Sequence, residues 1–274
     1  MCHARTTPYR TASSDVCIER PVYKQLVHIF VISSTVDSLI QLRTLPERLF
    51  SFYLPLHSKT GFPLAMPHTL VTGANSFVAA YIIVELIRKG HTVTGTVRRS
   101  LAGNKLLADY PEWKGKFEFE EVEDYTRKGA FDTIFQAKQY DHIVHTAAPV
   151  PRASATDFDK HFLRPGVDGS LSLLDSANAY APALKSIAIT GSANSITGTI
   201  FSIMARSLEE NKAIEYTNDM WNDITPHSAR ESQSQYIMYC SSKKETELAV
   251  WEWMRTKKPN FNVIVSLIYH HGYH

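Results

Sequence analysis

TLVTGANSFVAAYIIVELIRKG, residues 69–90, reads as a buried strand, a tight turn and a helix. Thr69–Thr72 is a short run suited to a strand covered on both faces. Ala79, Ile82, Ile83 and Leu86 then fall at i, i+3, i+4 and i+7, which puts them on one side of a helix. Gly90 stands where a left-handed residue ends such a helix. A helix that opens straight from a strand and a glycine turn aims free N–H groups and a positive dipole end at whatever lies over the turn.

Downstream the same alternation continues. His91–Val97, Phe117–Val122, His142–Thr146, Ser186–Thr190 and Phe261–Leu267 read as strands. Helical stretches fall at 129–139, at 167–178 and at 241–255. Strands alternating with helices imply right-handed βαβ crossovers and a parallel sheet. The predicted class is therefore α/β, a Rossmann-like doubly wound parallel sheet flanked by helices. Residues 1–65 look different: prolines at 8, 21, 46, 55 and 63 interrupt them, and no period persists. Met66, three residues before the first strand, is read as the start of the folded unit (66–274), with 1–65 a poorly ordered extension or a gene-model artefact. The competing reading is an amphipathic helix around Tyr23–Leu42.

Composition excludes more than it selects. The 274 residues carry a net charge of +2, which argues for neither nucleic acid nor a membrane surface as a partner. No apolar run reaches the roughly 18 residues of a membrane span. The Arg-containing start includes Asp15 and Glu19, against a secretory signal or a mitochondrial presequence. Cys2, Cys17 and Cys240 are too few and too scattered for a disulfide framework or a thiolate metal site. A reducing, cytoplasmic setting is the simplest expectation. His270, His271 and His274 are read as a tail, with no metal site expected.

Two constellations carry chemistry. In dinucleotide-binding turns the glycines separately provide a tight turn, close approach to pyrophosphate, and helix–strand packing. Here Gly73 keeps the first place, while Ser76 and Ala79 hold the other two. Ala is an accepted packing substitute; Ser76 is the departure, its hydroxyl a candidate phosphate ligand. The turn alone leaves open a plain strand–helix connection. Arg98 ends the next strand, where an acidic residue selects NAD and an arginine accommodates the 2′-phosphate of NADP. Two solvated arginines, Arg98 and Arg99, are the bland alternative.

The second constellation is Tyr239-Cys-Ser-Ser-Lys243, whose ends share a helical face at i and i+4. With 13 tyrosines in the chain, roughly one Tyr-x-x-x-Lys is expected by chance. Tyr110–Lys114 is such a second copy, and Pro111 marks it as the decoy. A phenol near pKa 10 is a poor acid–base group at neutral pH. A lysine one turn away is expected to lower that pKa, so that Tyr239 protonates a carbonyl oxygen as hydride arrives. Ser192, just past the fifth strand, is the candidate for polarising that carbonyl, and Ser195 is second.

These residues resemble the extended short-chain dehydrogenase/reductase family, in its branch of dihydroflavonol reductases, cinnamoyl-CoA reductases and fungal aldehyde or methylglyoxal reductases. The likeness covers about residues 66–265 and extends to GTVRR (95–99), VEDYTRKGAFD (122–132), HTAAP (145–149), AITGSA (188–193), WNDIT (221–225) and KKPNFNV (257–263). It implies NADP(H)-dependent reduction of a small aldehyde or ketone by a Ser192–Tyr239–Lys243 triad, with Lys243 also on the nicotinamide ribose. It further implies a pyrophosphate turn of Gly73, Ser76, Phe77 and Val78, a 2′-phosphate contact at Arg98 and an adenine contact at Asp124. Ala147, Ala148 and Thr190 are placed beside the dinucleotide, and relatives often pair as homodimers. The family usually has glycine at Ser76 and serine at Gly191. It also continues past the last strand into a substrate domain of roughly 60–80 residues, which is expected to be absent from this chain. Two other readings stay open: a non-catalytic dinucleotide-binding protein, and a nucleotide-sugar epimerase or dehydratase.

Overall fold

The structure, a computed structural model, describes residues 30–32, 66–198, 217 and 220–270. Seven strands form one parallel sheet: β1 (Phe30–Ile32), β2 (His68–Thr72), β3 (Thr92–Val97), β4 (Phe117–Glu121), β5 (His142–His145), β6 (Ser186–Ser192) and β7 (Asn262–His270). Their order is β1-β7-β6-β5-β2-β3-β4. The chain steps outward from β2 through β3 to β4, then returns to the other side through β5, β6 and β7. The switch point therefore lies above the C-terminal ends of β2 and β5, where open α/β sheets hold ligands.

Among the described residues seven α-helices connect the strands: α1 (Phe77–Arg88), α2 (Ser100–Asp109), α3 (Asp132–Ala137), α4 (Arg164–Tyr180), α5 (Asn194–Thr197), α6 (Pro226–Glu231) and α7 (Gln235–Lys257). Both faces of the sheet are covered, which is why its strands read as apolar runs rather than alternating patterns. Leu70, Ile143, Ile187 and Val263 join Leu173, Leu174, Val250 and Trp253 on the face under α4 and α7. Val71, Val93 and Val97 pack on the opposite face with Ala79, Ile83 and Leu106 of α1 and α2. Gly90, at φ +87°, ends the α1 turn as its left-handed residue.

Three differences from expectation have physical causes. The α2 helix was not foreseen, because Gly103 and Asn104 interrupt it and it buries only Gly103 and Leu106. Gly103 serves packing there: a Cβ would come within 2.4 Å of the Phe119 ring. The α7 helix begins at Gln235 rather than Ser241, with the Ser234 hydroxyl accepting from the Ile237 N–H at 3.4 Å. At residues 30–32 the amphipathic-helix alternative gives way to β1, which extends the β7 edge in the register Phe30↔Ile268 and Ile32↔His270. The rest of 1–65, and His271 and His274, lie outside the described residues. Among the described residues no helix is long and apolar enough to cross a membrane.

Candidate active site

Gly73 turns the chain out of β2 at φ +66°, and a Cβ there would sit 3.1 Å from the Ala147 Cα. The turn and the segment after β5 thus meet in backbone contact at the switch point, a cradle that only glycine leaves open. Thr72 fixes the same junction: its hydroxyl oxygen accepts the N–H groups of Thr146 and Ala147, both at 3.1 Å, and meets His145 Nδ1 at 2.8 Å. Burial pushes the His145 imidazole down to about 3, and the nearby Lys243 charge adds to the effect.

Ser76 is the N-cap of α1, and its hydroxyl accepts from the Ala79 N–H at 3.3 Å. The side chain that replaces the family's glycine is thus turned onto its own helix, where it satisfies one of the donors left free at a helix start. Phe77 is exposed and packs edge-on against Tyr81 at 5.0 Å. Val78 follows in the first turn of α1. Arg98 is exposed at the end of β3. The structure adds a carboxylate that sequence order hid. From the end of β4, Glu121 accepts the Ser100 N–H at 2.6 Å and the Ser100 hydroxyl, which lower its pKa with help from the Arg99 charge. Asp124 accepts from the Thr126 hydroxyl and N–H, at 2.6 and 3.0 Å; these bonds, and more weakly the charges of Arg127 and Arg98, lower its pKa.

At the other side of the crevice, β6 delivers Thr190, Gly191 and Ser192, and the second and third turns of α7 deliver Tyr239 and Lys243. Gly191 departs from the family's serine for a packing reason: a Cβ would meet Val265 Cγ1 at 2.7 Å and Leu267 Cδ2 at 2.8 Å. Lys243 is buried, its ammonium 3.5 Å from the Thr190 carbonyl and 5.7 Å from the centre of the Tyr239 ring. Desolvation lowers its pKa to about 8, opposed by Glu247 one turn on. Tyr239 corrects an expectation. Burial pushes its phenol up, and the opposing influence is the neighbouring Ser192 hydroxyl rather than the lysine charge. Desolvation of the phenol outweighs that influence.

Ser192 is itself engaged. Its hydroxyl donates to Asn194 Oδ1 at 3.0 Å and accepts the Asn194 N–H at 3.3 Å. Ser195 is no longer a candidate for the carbonyl: fully buried, its hydroxyl lies against the Ser192 carbonyl and Glu247 Oε2, at 2.8 and 3.1 Å. The Tyr110–Lys114 copy is not helical, since Tyr110 stacks on Trp113 across a 3-10 turn that starts at Pro111. Ala147, Ala148, Thr190 and Lys243, with His145 and Ser170, line one small cavity. Of the two sequence constellations only Lys243 lines it, and Gly73 adjoins it through its backbone approach to Ala147. Reading the sequence missed Asn194, Asn222, Lys244 and Glu247; only Glu247 left a periodic signal, four residues after Lys243.

The model of the NAD dependent epimerase/dehydratase family matches residues 69–218. The chain belongs to that family. Within it, the chain is 30% identical over 203 residues to aldehyde reductase 2 of Sporidiobolus salmonicolor, covering 71% of this chain and 54% of that protein. It is 29% identical over 191 residues to the NADPH-dependent methylglyoxal reductase of Saccharomyces cerevisiae, covering 69% of this chain and 53% of the relative. The crystal structure of yeast methylglyoxal/isovaleraldehyde reductase complexed with NADPH superposes at a TM-score of 0.65 with 27% identity, over 73% of this chain and 57% of that one. The chain spans about half the length of these relatives.

Proposed function

We propose that this chain is an NADP(H)-dependent oxidoreductase that reduces a small aldehyde or ketone to its alcohol, with Ser192, Tyr239 and Lys243 as the reacting set. The observation that carries the reading is the convergence of Tyr239 and Lys243 on the strand end at Thr190 and Ser192, beside the Gly73–Ala147 cradle. The cradle fits a pyrophosphate: it is open backbone facing the N-terminus of α1. Arg98 would hold a 2′-phosphate, in keeping with the NADPH bound by the yeast relative. The cofactor, when bound, supplies the hydride.

The chain's own groups handle the proton. The Tyr239 phenol carries its proton at neutral pH and is the group to give it to a carbonyl oxygen, although burial makes it a weaker acid than a free phenol. Ser192, once its hydroxyl leaves Asn194, donates a hydrogen bond to the same oxygen as charge builds there. Lys243 stabilises the phenolate that remains and holds the nicotinamide ribose. A second reading, dinucleotide binding without turnover, is favoured by the engagement of the Ser192 proton with Asn194 Oδ1.

Titration with NADPH and NADH, followed by cofactor fluorescence, tests the binding half; tighter NADPH binding is expected. NADPH consumption with methylglyoxal and a set of aldehydes tests the other half. Tyr239→Phe should abolish reduction while NADPH affinity stays within about twofold, since general acid help is worth on the order of 10²–10⁴-fold. Unchanged turnover in that variant would remove Tyr239 from the chemistry.

A further inference from the structure

Trp221-Asn222-Asp223-Ile224-Thr225 has no role in the reading so far, yet Asn222 is buried where three segments meet. Its side-chain amide donates to the Asn194 carbonyl at 2.7 Å and to the Cys240 carbonyl at 3.1 Å. Its Oδ1 accepts the Ile224 N–H at 3.0 Å, and its own backbone N–H donates to the Ser195 carbonyl at 3.0 Å. Asn194 is two residues after Ser192, and Cys240 follows Tyr239. One amide group therefore ties the strand end that carries Ser192 to the helical turn that carries Tyr239.

Lys244 closes the arrangement from α7. Its buried ammonium donates to the carbonyls of Asn222 and Ile224, at 3.0 and 2.6 Å, with Glu245 3.9 Å away. A desolvated lysine aimed at two carbonyls holds a loop more firmly than apolar contact does, because leaving it unpaired in the interior is costly. Adjacent lysines on α7 thus face different tasks: Lys243 turns to β6, and Lys244 clamps the segment that carries Asn222.

We infer that Asn222, clamped by Lys244, is a positioning residue that sets the spacing between Ser192 and Tyr239. The inference rests on the proposed roles of those two residues. It separates the two halves of the crevice, because the cofactor turn at Gly73 and Arg98 makes no contact with Asn222 among the bonds described. Loss of the amide should therefore lower kcat and leave cofactor affinity alone.

Asn222→Ala leaves the Asn194 and Cys240 carbonyls without their donor. It should reduce kcat for NADPH-dependent methylglyoxal reduction by about tenfold to a hundredfold, with NADPH affinity within about twofold. Lys244→Gln should shift kcat in the same direction and less far, and it carries the test if Asn222→Ala does not fold. An unchanged kcat in a folded variant overturns the inference, as does a kcat that falls together with NADPH affinity, which marks general loosening. The Tyr239 phenol gives a readout that needs no turnover. Its titration, read as the ultraviolet difference from the matching Tyr239→Phe chain, should shift in Asn222→Ala as the spacing between Ser192 and the phenol changes. A wild-type chain without turnover but with this shift refutes the reaction assigned above and keeps the positioning role. An unmoved midpoint refutes the positioning role whatever the turnover.

Discussion

Burial holds the Lys243 ammonium at the edge of its charged range, at about 8 against 10.5 for a free lysine. Between those values the unfolded chain binds the proton and the folded one does not. Folding stability from this group therefore rises with pH through that window, and below about 8 the penalty is constant. Function runs the other way, since the proposed roles on phenolate and ribose require the charge. The expected profile of kcat/KM for reduction is flat below pH 8 and falls about tenfold per unit above it. Lys243→Arg should lower the plateau, because guanidinium and ammonium are not interchangeable, and carry the falling limb well above pH 10. A limb that stays near 8 in that variant belongs to another group. The sequence showed Tyr239, Lys243 and Ser192 because i, i+4 spacing and a strand end are local signals. The direction of the Tyr239 shift was not legible, since it depends on how much water the folded helix excludes.

At the scale of elements, α1 shows how a departure from a motif is absorbed. Ser76 replaces a glycine that lets backbone approach phosphate, and it spends its hydroxyl oxygen on the Ala79 N–H. Removing that cap by Ser76→Ala should cost about 1 kcal/mol, and Ser76→Gly only a few tenths. Ser76→Gly should also tighten NADPH binding, as it clears the approach to the turn. Urea midpoints and NADPH titrations of the two variants check both halves; a Ser76→Ala chain as stable as its parent would leave the cap without energetic weight. Elements that bury a continuous face were legible in the same local way, as β2, α1, β5 and α4 show. The helix α2 was not, because its core contact is a glycine against the Phe119 ring, which reads as a break. Asn222 was illegible for a related reason: its partners lie 28 and 18 positions away, beyond any periodicity.

The whole molecule buries several imidazoles around the sheet's switch point and its opposite end. Burial lowers the pKa of His68, His91 and His142, each partly offset by Asp141, joined at His68 by Glu118, and lowers His145 to about 3 with no carboxylate opposing it. A folded pKa below the unfolded 6.5 means that, as pH falls, the unfolded chain takes up protons the folded chain refuses. Stability should therefore decline on acidification from about pH 7, with each such histidine contributing up to about 1.4 kcal/mol per pH unit. The depressed carboxylates Glu118, Asp141 and Asp159 add to the decline only nearer pH 4, so the histidines dominate between 5 and 6.5. His145 has the lowest value and lies deepest, between Thr72 and Ser170. His145→Gln should flatten the dependence of unfolding free energy on pH by up to one proton between pH 6 and 4, measured by urea unfolding at stepped pH. The comparison is one of slopes, so stability lost at neutral pH through the Thr72 contact does not confuse it. A slope identical to that of the parent would mean that His145 titrates alike in both states, and that the junction of β2 and β5 admits more water than its packing implies.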